Sequence, residues 1–454
     1  MGADPDATDN GLPTDRVQVV VRVRPRIGDE LKEDAAITCN AENRRVQVVC
    51  PPRDLKDNTG LSQKPTARAF EFDACLGPES TQEEVYAACH LNSLVDAALD
   101  GYSVTVFAFG QTGAGKTHTV NGPRSLVSKG KVTGDVQADD GIVQRALTHA
   151  FERVEGLKES EGREFHVYST FSEIYNEQVS DLLQPPGPPL HVRHNPSRGF
   201  YVEGLETSDC GDAVDALKAL RDGLVRRKLA SHNLNATSTR SHCMYTLHVD
   251  SLPSKDGGDI SSSMKRYGRI CFVDLAGSER LKETATVNAA ETGNINKSLF
   301  ALGKVISALS ERGRRGGGGA AAHIPFRESK LTQLLMDSLQ GSGRALMLAC
   351  CAPGMRHADE TLNTLHFASL ALHVQSKPVV ILDPADQLVL DLKNTISQLR
   401  NENRSLASEL KKLAMDPNAT ISASLFGEDG EIHAPGAPRP LGAIKSPGAA
   451  GARG

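Results

Sequence analysis

Residues 110–117, Gly-Gln-Thr-Gly-Ala-Gly-Lys-Thr, match the pattern GxxxxGK followed by Ser or Thr at every fixed position, and this stretch decides the fold class. The preceding residues 104–109, Val-Thr-Val-Phe-Ala-Phe, are mostly β-branched or aromatic and predict a buried strand. Glycines allow the loop to turn its backbone N–H groups toward phosphate oxygens, and the next helix adds its positive end. The sequence therefore predicts a phosphate-binding loop between a strand and a helix.

The side chains of this loop predict how it would hold a nucleotide. Lys116 would reach the β- and γ-phosphates, and the Thr117 hydroxyl would be a ligand of Mg²⁺. The nucleotide-contacting residues predicted at the loop and directly after it are Gly110, Gln111, Thr112, Gly113, Ala114, Gly115, Lys116, Thr117 and His118.

Composition is that of an ordinary globular protein, with 24% charged and 39% hydrophobic residues among 454. The net charge of −5 argues against nucleic-acid binding by bulk charge, so an anionic partner must meet a local basic patch. No apolar run reaches the length of a membrane span, and the acidic N-terminus lacks a signal-peptide core, so we expect a cytoplasmic protein. The nine cysteines form no CxxC pair and predict reduced core thiols.

Short apolar runs alternate with helical patterns from residue 16 to about residue 376, which predicts an α/β domain around a central sheet. Further strands are predicted at residues 17–23, 165–174, 269–273 and 345–351, and helices at residues 294–309 and 328–339. Insertions are expected at residues 127–140, 184–198 and 312–322, the last being a glycine-rich flexible loop.

The pattern changes after residue 376 to heptads. Apolar or Asn residues occupy a positions and leucines occupy d positions, which favours a parallel two-stranded coiled coil and hence a homodimer. A lone amphipathic helix lying on the α/β domain is the alternative. The a residues are Val389, Ile396, Asn403 and Leu410, and the d residues are Leu392, Leu399, Leu406 and Leu413. The predicted segments are a disordered N-terminus (1–15), the α/β domain (16–376), a linker (377–388), the coiled coil (389–415) and a disordered tail rich in Gly, Ala and Pro (416–454).

Two further segments have the composition of phosphate-facing loops. Residues 235–242, Asn-Ala-Thr-Ser-Thr-Arg-Ser-His, could hold Mg²⁺, the γ-phosphate and an attacking water, although a solvated turn has a similar composition. Residues 274–279, Asp-Leu-Ala-Gly-Ser-Glu, follow an apolar strand, where a Walker-B carboxylate would lie. The alternative is an aspartate that caps a helix or a turn.

In this order, the three segments resemble the P-loop, switch I and switch II of the kinesin motor domain. The resemblance covers residues 16–376 and includes four more motifs. They are Arg-Val-Arg-Pro at 22–25, Ser-Glu-Ile-Tyr-Asn-Glu at 172–177 with Asp-Leu-Leu at 181–183, Asn-Ile-Asn-Lys-Ser-Leu at 294–299 with Ala-Leu-Gly at 301–303, and His-Ile-Pro-Phe-Arg-Glu-Ser-Lys-Leu-Thr at 323–332.

The resemblance implies a kinesin-type P-loop NTPase motor domain with a mixed, mainly parallel eight-stranded sheet flanked by helices and followed by a short coiled coil. It implies that ATP binds with Mg²⁺ and that Arg22, Arg24 and Pro25 border the adenine; Tyr86 is a weaker stacking candidate and is interpreted as core. In the same way it implies that Arg240 pairs with Glu279 when ATP is bound. The implied catalytic residues are Ser238, Thr239, Arg240, Ser241, Asp274, Gly277 and Glu279, and the metal-holding residues are Thr117, Thr239 and Asp274.

The implied partner is the microtubule, whose acidic surface requires a basic patch on the motor. The alternative for each basic side chain is a solvated charged face, but Arg327 and Lys330 match the microtubule-facing motif of the family. The microtubule-binding residues implied are Arg280, Lys282, Lys297, Arg312, Arg314, Arg315, Arg327 and Lys330.

Some positions depart from the family pattern. Leu370 replaces an arginine before the linker, Ile381 replaces an asparagine expected to dock it, and residues 280–293 lack a usual glycine-containing stretch. We therefore expect either a microtubule-stimulated ATPase motor, directed to the plus end, or a slow, non-motile microtubule-binding ATPase that acts as a scaffold or switch. An ATPase unrelated to tubulin is disfavoured, because the motif at 323–332 has no role in phosphate chemistry.

Overall fold

The computed structural model describes residues 15–50, 66–123, 132, 134–195, 199–233, 239–252, 264–279, 289–314 and 323–415. The chain forms two compact units, Met1–Asp383 and Pro384–Gly454. Four residues of the predicted sites lie outside the described residues, as do residues 1–14 and 416–454 of the segments predicted to be disordered. These four are Ser238, Arg280, Lys282 and Arg315.

The secondary structure of the described residues alternates strands and helices along the first unit. The strands are β1 Gln18–Val23, β2 Ile37–Asn40, β3 Arg45–Cys50, β4 Thr66–Glu71, β5 Ala74–Leu76, β6 Ser103–Phe109, β7 Glu164–Tyr175, β8 Gln178–Asp181, β9 Val192–Asn195, β10 Gly199–Val202, β11 Ser208–Asp209, β12 His242–Leu252, β13 Arg266–Asp274 and β14 Arg344–Cys351. The helices are α1 Gln82–Ala88, α2 Leu91–Leu99, α3 Lys116–Asn121, α4 Ile142–Glu161, α5 Ala213–Asn233, α6 Ala289–Arg314, α7 Lys330–Leu334, α8 Met336–Leu339, α9 Ala358–Ala371 and α10 Pro384–Met415.

The central sheet is mixed, as predicted. Eight strands lie in the order β11-β7-β12-β13-β6-β14-β1-β5, and β8 pairs with β7. Parallel pairing joins β13, β6, β14, β1 and β5, whereas β12, β7, β8 and β11 pair antiparallel. The carboxyl ends of β1, β6, β13 and β14 therefore meet at one edge, where ligands bind in open α/β sheets.

Both faces of this sheet are covered, which explains why β6 is mostly apolar on both faces. All seven residues of β6 are buried. Val104 and Val106 pack into a core cluster that contains α2 and α4 residues, whereas Phe107 and Phe109 pack into a second cluster with residues of α6 and α9. The loop after β6 is therefore anchored by a strand that is held from both sides.

Two predicted helices differ from those observed. Helix α6 is longer than predicted, and its last turn contains Arg312 and Arg314, so these residues are helical and do not lie in the expected insertion loop. The predicted helix 328–339 is interrupted, because Leu335 (φ −88°, ψ −1°) separates α7 from α8. The Ser329 hydroxyl accepts the N–H of Leu331 and caps α7, which fixes its start.

The residues that follow α9 run along the first unit as an extended segment. Lys377 N–H donates to the Gly341 carbonyl (2.7 Å), and Val379 N–H donates to the Ser342 carbonyl (3.0 Å). Further along, Ile381 N–H donates to the Gly101 carbonyl (2.9 Å). The segment from residue 377 to residue 383, called the linker segment below, is thus held by backbone hydrogen bonds.

The second unit is described only as α10, which begins at Pro384, within the range predicted as linker. Proline is favoured in the first turn because its missing N–H would have no helical partner. Apolar side chains of the heptad positions are exposed along it: Val389, Leu392, Ile396, Leu399 and Leu410. Among the described residues, no helix is long and apolar enough to span a membrane. All nine cysteines are free thiols, as predicted.

Candidate nucleotide-binding site

The loop between β6 and α3 has the backbone that its glycines predict. Gly110 has φ +147°, and a Cβ there would collide with the Cys350 carbonyl. Lys116 begins α3, and its buried amine donates to the carbonyls of Gly110 (2.8 Å) and Gln111 (2.9 Å). Burial lowers the pKa of Lys116, while the charge of Asp274 opposes this shift. The loop thus encloses a cationic amine at the edge where four strands end.

The carboxylate at the end of β13 lies beside the hydroxyl at the start of α3. Thr117 Oγ1 donates to Asp274 Oδ2 at 2.7 Å. Asp274 Oδ1 is buried and has no hydrogen-bond partner among the described residues. A hydroxyl and a carboxylate with an unpaired oxygen are the ligand types that Mg²⁺ prefers, so these residues fit the predicted metal.

A buried arginine organises the residues around Asp274. Arg227 on α5 donates to Glu173 Oε1 (3.0 Å), lies 3.5 Å from Asp274 Oδ2, and contacts Ser241 Oγ (3.1 Å). Burial lowers the pKa of Arg227, whereas Cys243, Asp274 and Glu173 raise it. Together these three groups outweigh burial, so the net shift of the pKa is upward. Ser241 Oγ also donates to Glu173 at 2.6 Å, so the Ser241 hydroxyl joins this ion-pair network, and its implied role at the γ-phosphate stays a prediction.

The segment 274–279 closes against the phosphate loop. Gly277 N–H donates to the Thr239 carbonyl (2.9 Å), and Ser278 N–H donates to the Gly110 carbonyl (3.1 Å). Glu279 accepts the N–H of Thr112 (2.7 Å) and also bonds the Thr112 hydroxyl. A Cβ at Gly277 would collide with the Thr112 hydroxyl and the Glu279 carboxylate, so a larger residue would require these side chains to move. The predicted pair of Arg240 with Glu279 stays a prediction.

On the other side of the loop, Arg22 is buried and points into the protein. It donates to Gln82 Oε1 (2.8 Å) and to Thr119 Oγ1 (2.9 Å). Gln82 Nε2 in turn donates to the His118 carbonyl (2.7 Å). Arg22 therefore links α1 to α3 by hydrogen bonds. Pro25, three residues further along the chain, is exposed.

Arg24 reaches the phosphate loop and pairs with a buried glutamate. It holds Glu30 with two hydrogen bonds (2.6 and 2.7 Å) and donates to the Gly113 carbonyl. Glu30 also contacts His357 Nε2 at 3.3 Å, and His357 Nδ1 contacts Gln111 at 2.8 Å. The Arg24 hydrogen bonds lower the pKa of Glu30 to about 2, against the opposing effect of burial.

Tyr86 packs against the first core cluster, in line with its interpretation as a core residue. Burial raises the pKa of its hydroxyl, which has no hydrogen-bond partner among the described residues.

The sequence analysis missed several residues of the site. Arg227 and Glu173 meet across 54 residues; Glu173 lies in the motif at 172–177, but no local pattern marks its pairing with Arg227. Glu30 lies in a short 3₁₀ helix, Gly28–Lys32, whose only sequence signal is a nearby arginine. Gln82 was likewise not singled out, because glutamine on a helix is common.

The predicted microtubule-binding residues that the structure describes lie on α6 and near α7. Lys297, Arg312, Arg314 and Arg327 are exposed, and Lys330 is partly buried. Between them, Lys304 donates to Glu328 (2.9 Å) and lies over the Phe300 ring, so its charge is already paired. The exposed Lys297 and Arg327 side chains are the stronger candidates for an acidic partner.

A strand, a glycine-rich loop, a lysine and threonine at the helix start, and a carboxylate ending the neighbouring strand together define a P-loop nucleoside-triphosphatase site. The family model described as the kinesin motor domain matches residues 22–374. The chain therefore belongs to the kinesin motor domain family, and the resemblance seen in its sequence is confirmed.

Individual relatives agree with this assignment. The chain is 39% identical over 403 residues to kinesin-like protein KIF12 of Mus musculus, covering 87% of this chain and 58% of that protein. It is 34% identical to kinesin-like protein KIN-5A of Arabidopsis thaliana, covering 85% of this chain and 36% of that protein. A solved structure of a fast kinesin superimposes with a TM-score of 0.67 at 30% identity, covering 81% of this chain and 94% of that one.

Proposed function

We propose that this protein is a microtubule-stimulated ATPase that couples ATP hydrolysis to microtubule binding and to force or movement. The observation that carries the proposal is the meeting of Lys116, Thr117 and Asp274 at one sheet edge in a chain of the kinesin motor domain family. Phosphoryl transfer needs positioning and charge stabilisation more than a covalent nucleophile, and this edge supplies both.

In this proposal, the loop N–H groups and Lys116 hold the β- and γ-phosphates. Thr117 and Asp274, joined by Thr239, would hold Mg²⁺, which when bound neutralises charge on the phosphates. Gly277 senses the γ-phosphate because its N–H, which donates to the Thr239 carbonyl, would donate to a γ-phosphate oxygen instead. The residues proposed to act with them on the attacking water are Ser238, Arg240, Ser241 and Glu279.

The proposed partner surface is the exposed side of α6 together with residues 323–332. Lys297 and Arg327 present cations there, and tubulin is acidic, so binding should weaken as salt rises. A microtubule-associated location in the cytoplasm follows from this proposal.

The extended linker segment supports movement over the alternative of a slow, non-motile scaffold or switch. A motor needs a segment that can dock and release, and this one is held mainly by backbone hydrogen bonds, which any sequence can make. We further propose plus-end direction and dimerisation through α10, whose apolar heptad residues are exposed.

The proposal is tested by steady-state ATP turnover with and without microtubules. Turnover should rise at least tenfold with saturating microtubules. Lys116→Ala should abolish nucleotide binding, because the charge contact with the phosphates is lost. ATP turnover that does not change when microtubules are added would contradict the proposed partner. Normal ATP affinity in Lys116→Ala would contradict the proposed nucleotide-binding site. Gliding of polarity-marked microtubules then separates a motor from a scaffold.

A further inference from the structure

One buried histidine touches both the segment 274–279 and helix α6. His242 begins β12 and is 2% exposed. Its Nδ1 accepts the backbone N–H of Ala276 at 3.1 Å, and its Nε2 lies 2.7 Å from Ser298 Oγ on α6. The sequence places this histidine in a predicted phosphate-facing loop, and its described contacts join it to the segment 274–279 and to α6.

The protonation of the ring follows from these contacts. A backbone N–H can only donate, so Nδ1 must be the unprotonated nitrogen. Burial lowers the pKa of His242 to about 3, with Arg227 and Lys116 adding to the effect, so the ring is neutral near pH 7. The single proton is then on Nε2, and Nε2–H donates to Ser298 Oγ. Both nitrogens are therefore occupied in fixed roles.

The two partners of His242 lie at opposite ends of the proposed coupling. Ala276 directly precedes Gly277, whose N–H donates to the Thr239 carbonyl. Ser298 directly follows the exposed Lys297 and is itself buried on the core side of α6. A displacement of the backbone at Ala276 and Gly277 would therefore be felt at α6 through one rigid ring.

We propose that His242 is a positioning residue that couples the γ-phosphate-sensing backbone at Ala276 and Gly277 to the orientation of α6. This inference deepens the proposed function and rests on it. An apolar ring of similar size could fill this position in the core, whereas histidine adds two directed hydrogen bonds. Two directed bonds to two different segments are what a mechanical connection requires.

The test is the ratio of microtubule dissociation constants in ADP and in a non-hydrolysable ATP analogue, measured by co-sedimentation of the full chain. Ser298→Ala removes the helix end of the bridge and should lower this ratio about fivefold, the effect of one neutral hydrogen bond. Ser298→Thr keeps a hydroxyl and should retain the wild-type ratio. His242→Asn can still accept from Ala276 but is too short to reach Ser298, so it should match Ser298→Ala.

Ser310 is the matched control. It lies on the same helix, is 1% exposed, and its hydroxyl has no hydrogen-bond partner among the described residues. Ser310→Ala should leave the ratio unchanged. Combining His242→Asn with Ser298→Ala should lower the ratio no further than either change alone.

Three results would overturn the inference. One is a wild-type ratio in Ser298→Ala, and another is an equal fall in Ser310→Ala, which would indicate general loosening of α6. The third is a double variant whose losses multiply. A ratio of one in the unaltered protein would instead refute the proposed function itself, so the two failures are distinguishable.

Discussion

Buried ion pairs stabilise the segments around the phosphate loop. Glu30 is paired by Arg24, and Glu173 is paired by Arg227, both with little exposure to solvent. Removing one partner of such a pair leaves an uncompensated buried charge, which destabilises a protein by about 3–5 kcal/mol. These residues therefore matter for stability as well as for the geometry of the site.

Glu30→Gln tests this at one residue. The folded pKa of about 2 lies below the ordinary 4.5, so the stabilisation is complete above about pH 4.5 and is lost as pH falls toward 2. The variant should lower the free energy of unfolding at pH 7 by about 3 kcal/mol, and the difference from wild type should shrink toward pH 2. Urea denaturation across this pH range measures it.

Glu155→Gln is the control for Glu30→Gln. Glu155 pairs with Lys158 at 3.0 Å but is 65% exposed, so its loss should change the free energy of unfolding by less than about 0.5 kcal/mol. A Glu30→Gln difference that stayed constant from pH 7 to pH 2 would contradict the ion-pair account.

The residues that sequence reasoning found differ physically from those it missed. Lys116 and Thr117 act through a loop whose conformation is set locally by its glycines, and Asp274 is marked by the strand before it. Arg227 acquires its partners only when distant segments pack together. Glu30 pairs with Arg24 six residues away, but it meets His357 only through packing of distant segments. Ser241 was assigned to the phosphate by the family pattern, whereas its bonds to Glu173 and Arg227 depend on packing against α5.

At the scale of elements, the linker segment combines backbone pairing with one side-chain bond. Tyr267 N–H donates to the Ile381 carbonyl (2.8 Å), and Asp383 N–H donates to the Lys265 carbonyl (3.1 Å). Tyr267 Oη donates to Asp383 Oδ2 at 3.0 Å. This bond offers a side-chain anchor where Ile381 replaces the asparagine of the family pattern.

Tyr267→Phe should loosen the linker segment while preserving the ring. Losing a hydrogen bond to a carboxylate weakens docking by about 1.5–3 kcal/mol, so amides of residues 377–383 should exchange with deuterium at least tenfold faster. Hydrogen exchange with mass spectrometry measures this. Tyr201→Phe, at a tyrosine that is 44% exposed, should leave the exchange unchanged. Unaltered exchange in Tyr267→Phe would show that the Tyr267–Asp383 bond does not hold the linker segment.

Helix α10 is the element through which the protein is proposed to form a homodimer. Leu399→Glu places a charge in the apolar d row without lowering helix propensity, so it should convert a dimer to a monomer of 48.5 kDa in sedimentation equilibrium. Asn401→Glu, two residues away and outside the a and d rows, should keep the mass of the unaltered protein. A monomeric unaltered protein would reject the heptad prediction in favour of a lone amphipathic helix.

At the scale of the whole molecule, the alternation of apolar runs with helical patterns predicted an α/β domain around a central sheet. The mixed strand directions were implied only by the resemblance to the kinesin motor domain. The interruption between α7 and α8 could not be predicted from the sequence, because the helical spacing of apolar residues continues across Leu335. The extension of α6 through Arg314 was likewise hidden, since the glycine-rich stretch after it suggested an earlier end.

In the proposed mechanism, γ-phosphate binding at Gly277 changes how tightly α6 binds a microtubule. The most direct test is the microtubule affinity of the full chain with no nucleotide, with ADP and with a non-hydrolysable ATP analogue, at one salt concentration. We expect binding at least tenfold tighter with the analogue than with ADP. Equal affinity in all three states would contradict the account.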